Sequence, residues 1–291
     1  MSVGIVFAST GGYKAMRAAH SLRRMEPNQR IHILLDTTTN TWKSSDISAE
    51  AFKVVADEVR CLRINNGFVN GGLNAAIAWM QSLGHSYACL LHDDLVFSPL
   101  EEHRNSLSRW FDNELLARSS GLSFCHFEAL VHDAGMDLRR KPEQWDREDM
   151  ESDALWRFLA KCDIRQNVDI SPPGASYFFR YEGPDIVRKW NRLGPTGSVV
   201  PISTWEALGR FNETQGIFYD DEYATECLLR GLPPIYAVTN FPYIHLHNQS
   251  VNPWADPAPG VWSDCVAAYV RRYGTDKVGI WRDDWEARWH D

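Results

Sequence analysis

Before residue 92 the chain alternates short apolar runs with segments of helical spacing, and that alternation limits the folds open to it. Val3–Ala8, Ile31–Leu35, Val59–Ile64 and Tyr87–Leu91 each read as a strand. After the first, Ser9-Thr10-Gly11-Gly12 is a turn into a helix whose apolar positions are Met16, Ala19, Leu22 and Met25. Glu50–Glu58 reads as a second helix. Leu73, Ala76, Ile77 and Met80 fall at i, i+3, i+4 and i+7 in a third. The order β-α-β-α-β-α-β predicts an α/β fold, with a mainly parallel central sheet flanked by helices.

The fourth run does not fade into a turn but stops on His92-Asp93-Asp94 before resuming as Leu95-Val96-Phe97. Adjacent carboxylates raise each other's pKa, and burial penalises both, so a strand ending this way calls for a cation against it. A divalent metal carrying a phosphate-bearing substrate satisfies that need, as does a solvated turn. Asp36 closes the second strand, where open α/β sheets place ligand contacts, although an Asp there also caps turns. The loop from Asn65 to Asn74 is dense in Asn and Gly, which permit close approach of backbone to ligand and offer donors and acceptors.

Further along, Leu100 to about Leu116 reads as a helix, Gly121–Phe127 as a strand, Glu143–Lys161 as a charged helix, and Tyr177–Phe179 with Ile186–Leu193 as a strand and helix. Gly197–Pro201 is a short apolar segment before a helix at Thr204–Leu208. Asp220-Asp221-Glu222 opens a helical stretch ending near Arg230, where acids suit the helix dipole. Ile235–Val238 is a late strand. In the extended run after it, His245 and His247 share a face, an arrangement that suits metal ligation. Trp281, Trp285 and Trp289 fall on one stripe of a C-terminal helix.

Composition excludes several classes. With 291 residues, 44% of them hydrophobic, the chain can bury a substantial core. No run reaches the roughly 18 apolar residues that span a bilayer, and MSVGIVFASTGG lacks the basic start of a signal peptide. Six dispersed cysteines with no close pair argue against a zinc knuckle or a disulfide framework, so reduced thiols in a cytoplasm are expected. A net charge of −8 repels polyanions except at a local basic patch. Twelve tryptophans suit sugar stacking as well as core packing.

Three motifs in order carry a resemblance. Asn66-Gly67-Phe68 with Gly72 and Asn74 leads to Leu90-Leu91-His92-Asp93-Asp94. Gly197-Ser198-Val199-Val200 runs through Gly209-Arg210-Phe211-Asn212-Glu213 to Tyr219-Asp220-Asp221. His245 or His247 with Ser250 follows. Together they resemble the inverting, family-2-like glycosyltransferases of the GT-A fold over roughly residues 3–130 and 195–252. The resemblance implies a Rossmann-like nucleotide-binding half plus an acceptor half at 1–252, with about 133–195 an inserted or variable acceptor-side segment, while 253–291 reads from its own pattern as a C-terminal helical tail packed on the domain.

The resemblance further implies a nucleotide-diphosphate sugar donor held near Ser9, Thr10, Asp36 and Asp93, with Asn66, Gly67 and Asn74 positioning it or shaping the loop beneath it. Mn²⁺ or Mg²⁺ would be bound by Asp94 and Asp93 with His247 or His245, and Asp221 or Asp220 would be the general base. His92 stands where the DxD triplet has its first acid, which makes Asp94 the principal metal ligand. The acceptor is a glycan, a lipid-linked intermediate, a protein or a modified nucleic acid. A metal-dependent nucleotidyltransferase and a non-catalytic nucleotide-sugar-binding protein are the competing readings.

Overall fold

The computed structural model describes residues 1–9, 11–37, 49–64, 68–93, 95–124, 178–180, 186–190, 193, 197–213, 219–238, 241–245 and 261–274. Its strands are β1 (Val3–Ser9), β2 (Ile31–Asp36), β3 (Glu58–Leu62), β4 (Tyr87–Leu91), β5 (Leu95–Phe97), β6 (Gly121–Phe124), β7 (Phe178–Arg180), β8 (Ile186–Trp190), β9 (Gly197–Pro201), β10 (Ile235–Val238) and β11 (Tyr243–His245). Its α-helices, numbered here in chain order, are α1 (Gly12–Met25), α2 (Phe68–Ser82), α3 (Glu114–Ala117), α4 (Ile202–Ala207), α5 (Tyr219–Leu229) and α6 (Val261–Tyr273).

Nine strands form one sheet in the order β3-β2-β1-β4-β9-β6-β10-β8-β7. Pairing is parallel from β3 through β4 and between β6 and β10, whereas β9 and β8 are antiparallel to both their neighbours. The other seven strands therefore share one direction, as expected for a mainly parallel α/β sheet. β5 and β11 make a separate antiparallel ribbon.

Both faces of the sheet are covered, and alternation along the strands sorts the side chains between them. Ile5, Phe7, Ile33, Leu35, Cys89 and Leu91 pack with α1 through Ala15, Ala18, Ala19 and Leu22. Val6, Leu34, Ala88 and Leu90 pack on the opposite face with Leu73, Ala76, Ile77 and Met80 of α2. The helical spacing of those residues is thus used for docking on the sheet.

Three helix expectations are corrected. Glu50–Glu58 forms only a 3₁₀ turn at Ala51–Val54, because Asp57 ties the chain to β2: its N–H donates to the Ile31 carbonyl (2.8 Å) and its carboxylate accepts the Ile31 N–H (2.8 Å). The span from Leu100 to Leu116 breaks into 3₁₀ turns at Glu101–His103 and Ser108–Trp110 and the short α3. Asn105 sits there at φ 60° with its N–H on the Met25 carbonyl, and the buried Glu26 carboxylate accepts the Leu107 and Ser108 N–H groups at 2.6 and 3.3 Å. Ile186–Trp190 is strand β8, since pairing with β10 on one side and β7 on the other overrides its helical spacing. Glu143–Lys161 and the Trp281, Trp285 and Trp289 stripe lie outside the described residues.

Candidate functional site

In the order β3-β2-β1-β4, the strand order reverses between β1 and β4, and open α/β sheets bind ligands at the carboxyl ends of such a pair. β1 ends on Ser9, and β4 ends one residue before His92-Asp93. The Ser9 hydroxyl donates to Asp93 Oδ2 at 2.5 Å and accepts the Gly11 N–H at 2.8 Å. Gly11 and Gly12 hold φ values of 90° and 86°, a left-handed geometry that glycine adopts without strain, Gly11 being the N-cap and Gly12 the first residue of α1. The two turns flanking the crevice are thereby locked together, with Asp93 only 7% exposed.

Asp36 ends β2 at the same edge, and its carboxylate accepts the Ile64 N–H at 3.2 Å, steadying the chain as it leaves β3. β11 pairs with β5 so that His245 stands opposite Leu95, the second residue after Asp93. The ribbon therefore returns the late histidine segment to the aspartate turn. Thr10, Asn66, Gly67, Asp94 and His247 lie outside the described residues, as does the side chain of His245. Among the described residues, no group of three or more His, Cys, Asp and Glu could hold a metal ion.

The acidic helix meets the same turn from the other side. Tyr219, the first residue of α5, places its hydroxyl 3.2 Å from His92 Nε2. Asp220, Asp221 and Glu222 follow and are all buried, Asp221 completely. Asp220 accepts the Leu193 N–H through its backbone carbonyl. Burial pushes the Glu222 carboxyl up to about 7, despite Arg272 beside it. Glu222 borders a small half-open cavity that Phe211, Asn212, Tyr219, Glu226 and Arg272 also line.

α6 supplies the far wall. Its Tyr269 hydroxyl exchanges a 2.7 Å hydrogen bond with Thr225 of α5, while Arg272 and Tyr273 donate to Glu226 at 2.7 and 3.0 Å. α6 is thereby built into the surroundings of the acidic helix.

Asn74, expected in the donor site, is buried in α2 with every hydrogen-bonding position of its amide engaged within the chain. Nδ2 donates to the Phe211 carbonyl and to Glu213 Oε1 at 2.8 and 2.9 Å, and Oδ1 accepts from Trp205 Nε1 and the Phe211 N–H at 2.9 and 3.0 Å. Sequence reasoning gave no role to Tyr219, Asn70 or Arg272, although Tyr219 stands in the motif that leads into the acidic helix. Asn70 had one signal, since it stands one helical turn before Asn74 on the same face. The other two are meaningful only through contacts distant in sequence.

No protein-family model and no curated protein matches the sequence. Among solved structures, the chain is similar to S. aureus TarS 1–349 in complex with UDP-GlcNAc (TM-score 0.45, 10% identity, covering 93% of this chain and 67% of that one). It is also similar to mannose-1-phosphate geranyltransferase from Thermus thermophilus (TM-score 0.40, 12% identity, covering 84% and 76%).

Proposed function

We propose that the chain is a metal-dependent glycosyltransferase that moves a sugar from a nucleotide-diphosphate sugar to an acceptor hydroxyl with inversion. The observation that carries this reading is the Ser9–Asp93 hydrogen bond across the β1/β4 crevice, which joins a glycine turn suited to phosphates to a turn of paired aspartates. Residues 1–252 would form the catalytic domain, with the nucleoside near Ser9, Thr10 and Asp36, and with Asn66 and Gly67 bordering the sugar.

Asp94, Asp93 and His247 or His245 would hold Mn²⁺ or Mg²⁺. Carboxylates with one imidazole are a hard to borderline donor set that fits these ions. When bound, such an ion would supply positive charge to offset that developing on the departing diphosphate. Asp221 or Asp220 takes the proton of the acceptor hydroxyl, whose oxygen bonds to the anomeric carbon as the bond from that carbon to the diphosphate oxygen breaks. Tyr219 tethers this acidic helix to the aspartate turn through His92, which supports a reading in which both halves of the reaction meet at one edge. No helix among the described residues is long and apolar enough to cross a membrane.

The test is a thermal-shift panel of UDP-, GDP- and dTDP-sugars with and without Mn²⁺, followed by turnover of the one that binds. Asp94→Asn is expected to abolish both transfer and metal-dependent nucleotide binding, and Asp221→Asn to remove transfer while sparing binding. Full activity in either variant refutes its assigned role, and a retained anomeric configuration in the product refutes inversion.

A further inference from the structure

We infer that Asn74, aided by Asn70, is a positioning residue that holds the acidic helix in register with the aspartate turn and does not contact the donor. The inference rests on the transferase reading above for its kinetic consequence, but not for its structural content.

The geometry is specific. The Asn74 amide holds both the N–H and the carbonyl of Phe211, the side chain of Glu213 and the indole of Trp205. One turn earlier on α2, Asn70 Nδ2 donates to the Asn212 carbonyl at 2.8 Å. Three consecutive residues, Phe211 to Glu213, are thus gripped by two buried amides, where low dielectric strengthens each bond. The grip falls immediately after a bend in which Gly209 and Arg210 have φ values of 87° and 71°, the second unfavourable for a side-chain-bearing residue.

What is gripped also touches the site. The Phe211 ring packs on Tyr219 and Tyr223 of α5, with centroids 5.1 and 5.9 Å apart, and Tyr219 reaches His92. α2 leads by a short turn into β4 and hence into the aspartates. Asn74 therefore connects the element that aims the aspartate turn with the segment that aims the carboxylates of α5, two parts of the chain more than a hundred residues apart in sequence. A misplacement of about 1 Å between such groups costs on the order of a hundredfold in rate.

Wild type, Asn74→Ala, Asn74→Asp and the double variant Asn74→Asp with Glu213→Gln are compared by amide hydrogen exchange. They are also compared by release of nucleoside diphosphate from whichever UDP-, GDP- or dTDP-sugar wild type turns over fastest with Mn²⁺. Asn74→Ala is expected to speed exchange at Phe211 and across α5 about tenfold, and to lower kcat about tenfold or more with donor KM within about twofold. Asn74→Asp sets a carboxylate against both Glu213 and the Phe211 carbonyl, and the added Glu213→Gln restores a donor for the first contact alone, so the double variant is expected to recover part of kcat and of the exchange protection.

Unchanged exchange in Asn74→Ala overturns the inference. So does a rise in donor KM with kcat intact, which would make Asn74 a donor contact, and so does a double variant no better than Asn74→Asp. Should Asn74→Ala fail to fold, the Asp pair decides. If wild type turns over none of the nucleotide sugars, the transferase reading fails, while the exchange comparison still decides the positioning role.

Discussion

Tyr219 and His92 meet at 3.2 Å, hydroxyl to Nε2, so the helix that opens with three carboxylates touches the turn that carries the paired aspartates. A neutral hydrogen bond of this kind contributes about 1 kcal/mol. Tyr219→Phe is expected to lose that amount in urea denaturation, and the same change made in a His92→Ala background to lose much less. Additive losses would show that the two side chains do not cooperate.

Ser9 orients Asp93 through a hydrogen bond to a charged acceptor, worth about 1.5–3 kcal/mol. Ser9→Ala should therefore weaken Mn²⁺-dependent nucleotide binding about tenfold or more, a larger loss than in metal-free nucleotide binding. Calorimetric titration with and without Mn²⁺ checks this.

Glu222 sets a pH dependence. Its carboxyl stands at about 7 in the folded chain against an ordinary value of 4.5, chiefly through burial, so the folded state binds the proton more tightly than the unfolded one. Stability from this group is therefore greatest below about pH 4.5 and falls as pH rises through 7. Glu222→Gln is expected to melt higher than wild type above pH 7, by several degrees. The gap should close as pH falls toward 4.5, and parallel melting curves across that range would contradict the assignment.

The Thr225–Tyr269 pair fixes α6 to α5 in a buried layer. Tyr269→Phe leaves the Thr225 hydroxyl without this partner and should cost about 1–2 kcal/mol. Adding Thr225→Val removes the stranded hydroxyl and should recover part of the loss, since deleting both partners of a buried hydrogen bond is cheaper than deleting one. Urea midpoints of the two variants give the comparison.

The early half of the sheet was legible because each element declares itself locally. Apolar runs between glycine turns and helical stripes are properties of a dozen residues, and β1, β2 and β4 sit within a residue or two of where periodicity places them, whereas α2 already begins at Phe68, inside the stretch expected to be a loop up to Asn74. The failures at 50–58, 100–116 and 186–193 share one cause. In each, a partner distant in sequence decided the backbone: Asp57 on Ile31, Glu26 on Leu107, and β10 on β8. The site divides the same way. As candidates, Asp36, Asp93 and Asp220 were singled out by their places at strand and helix ends, and Ser9 through the family resemblance. The roles of Tyr219 and Arg272 depend on contacts with His92 and with Glu222 and Glu226 made across the fold, which no local pattern encodes, and Asn70 had only its helical spacing from Asn74.

The antiparallel strand β9 has a consequence for how the molecule comes into being. Strands β3, β2, β1 and β4 are all contained in residues 3–91, whereas the open edge of β4 is covered only by Gly197–Pro201. During synthesis the first four strands can zip together while Tyr87–Leu91, an apolar edge, waits for a partner that the ribosome has not yet made. A nascent chain arrested after residue 124 should bind chaperones or self-associate through that edge. One extended past residue 201 should not, and pull-down of stalled chains of the two lengths would reveal the difference.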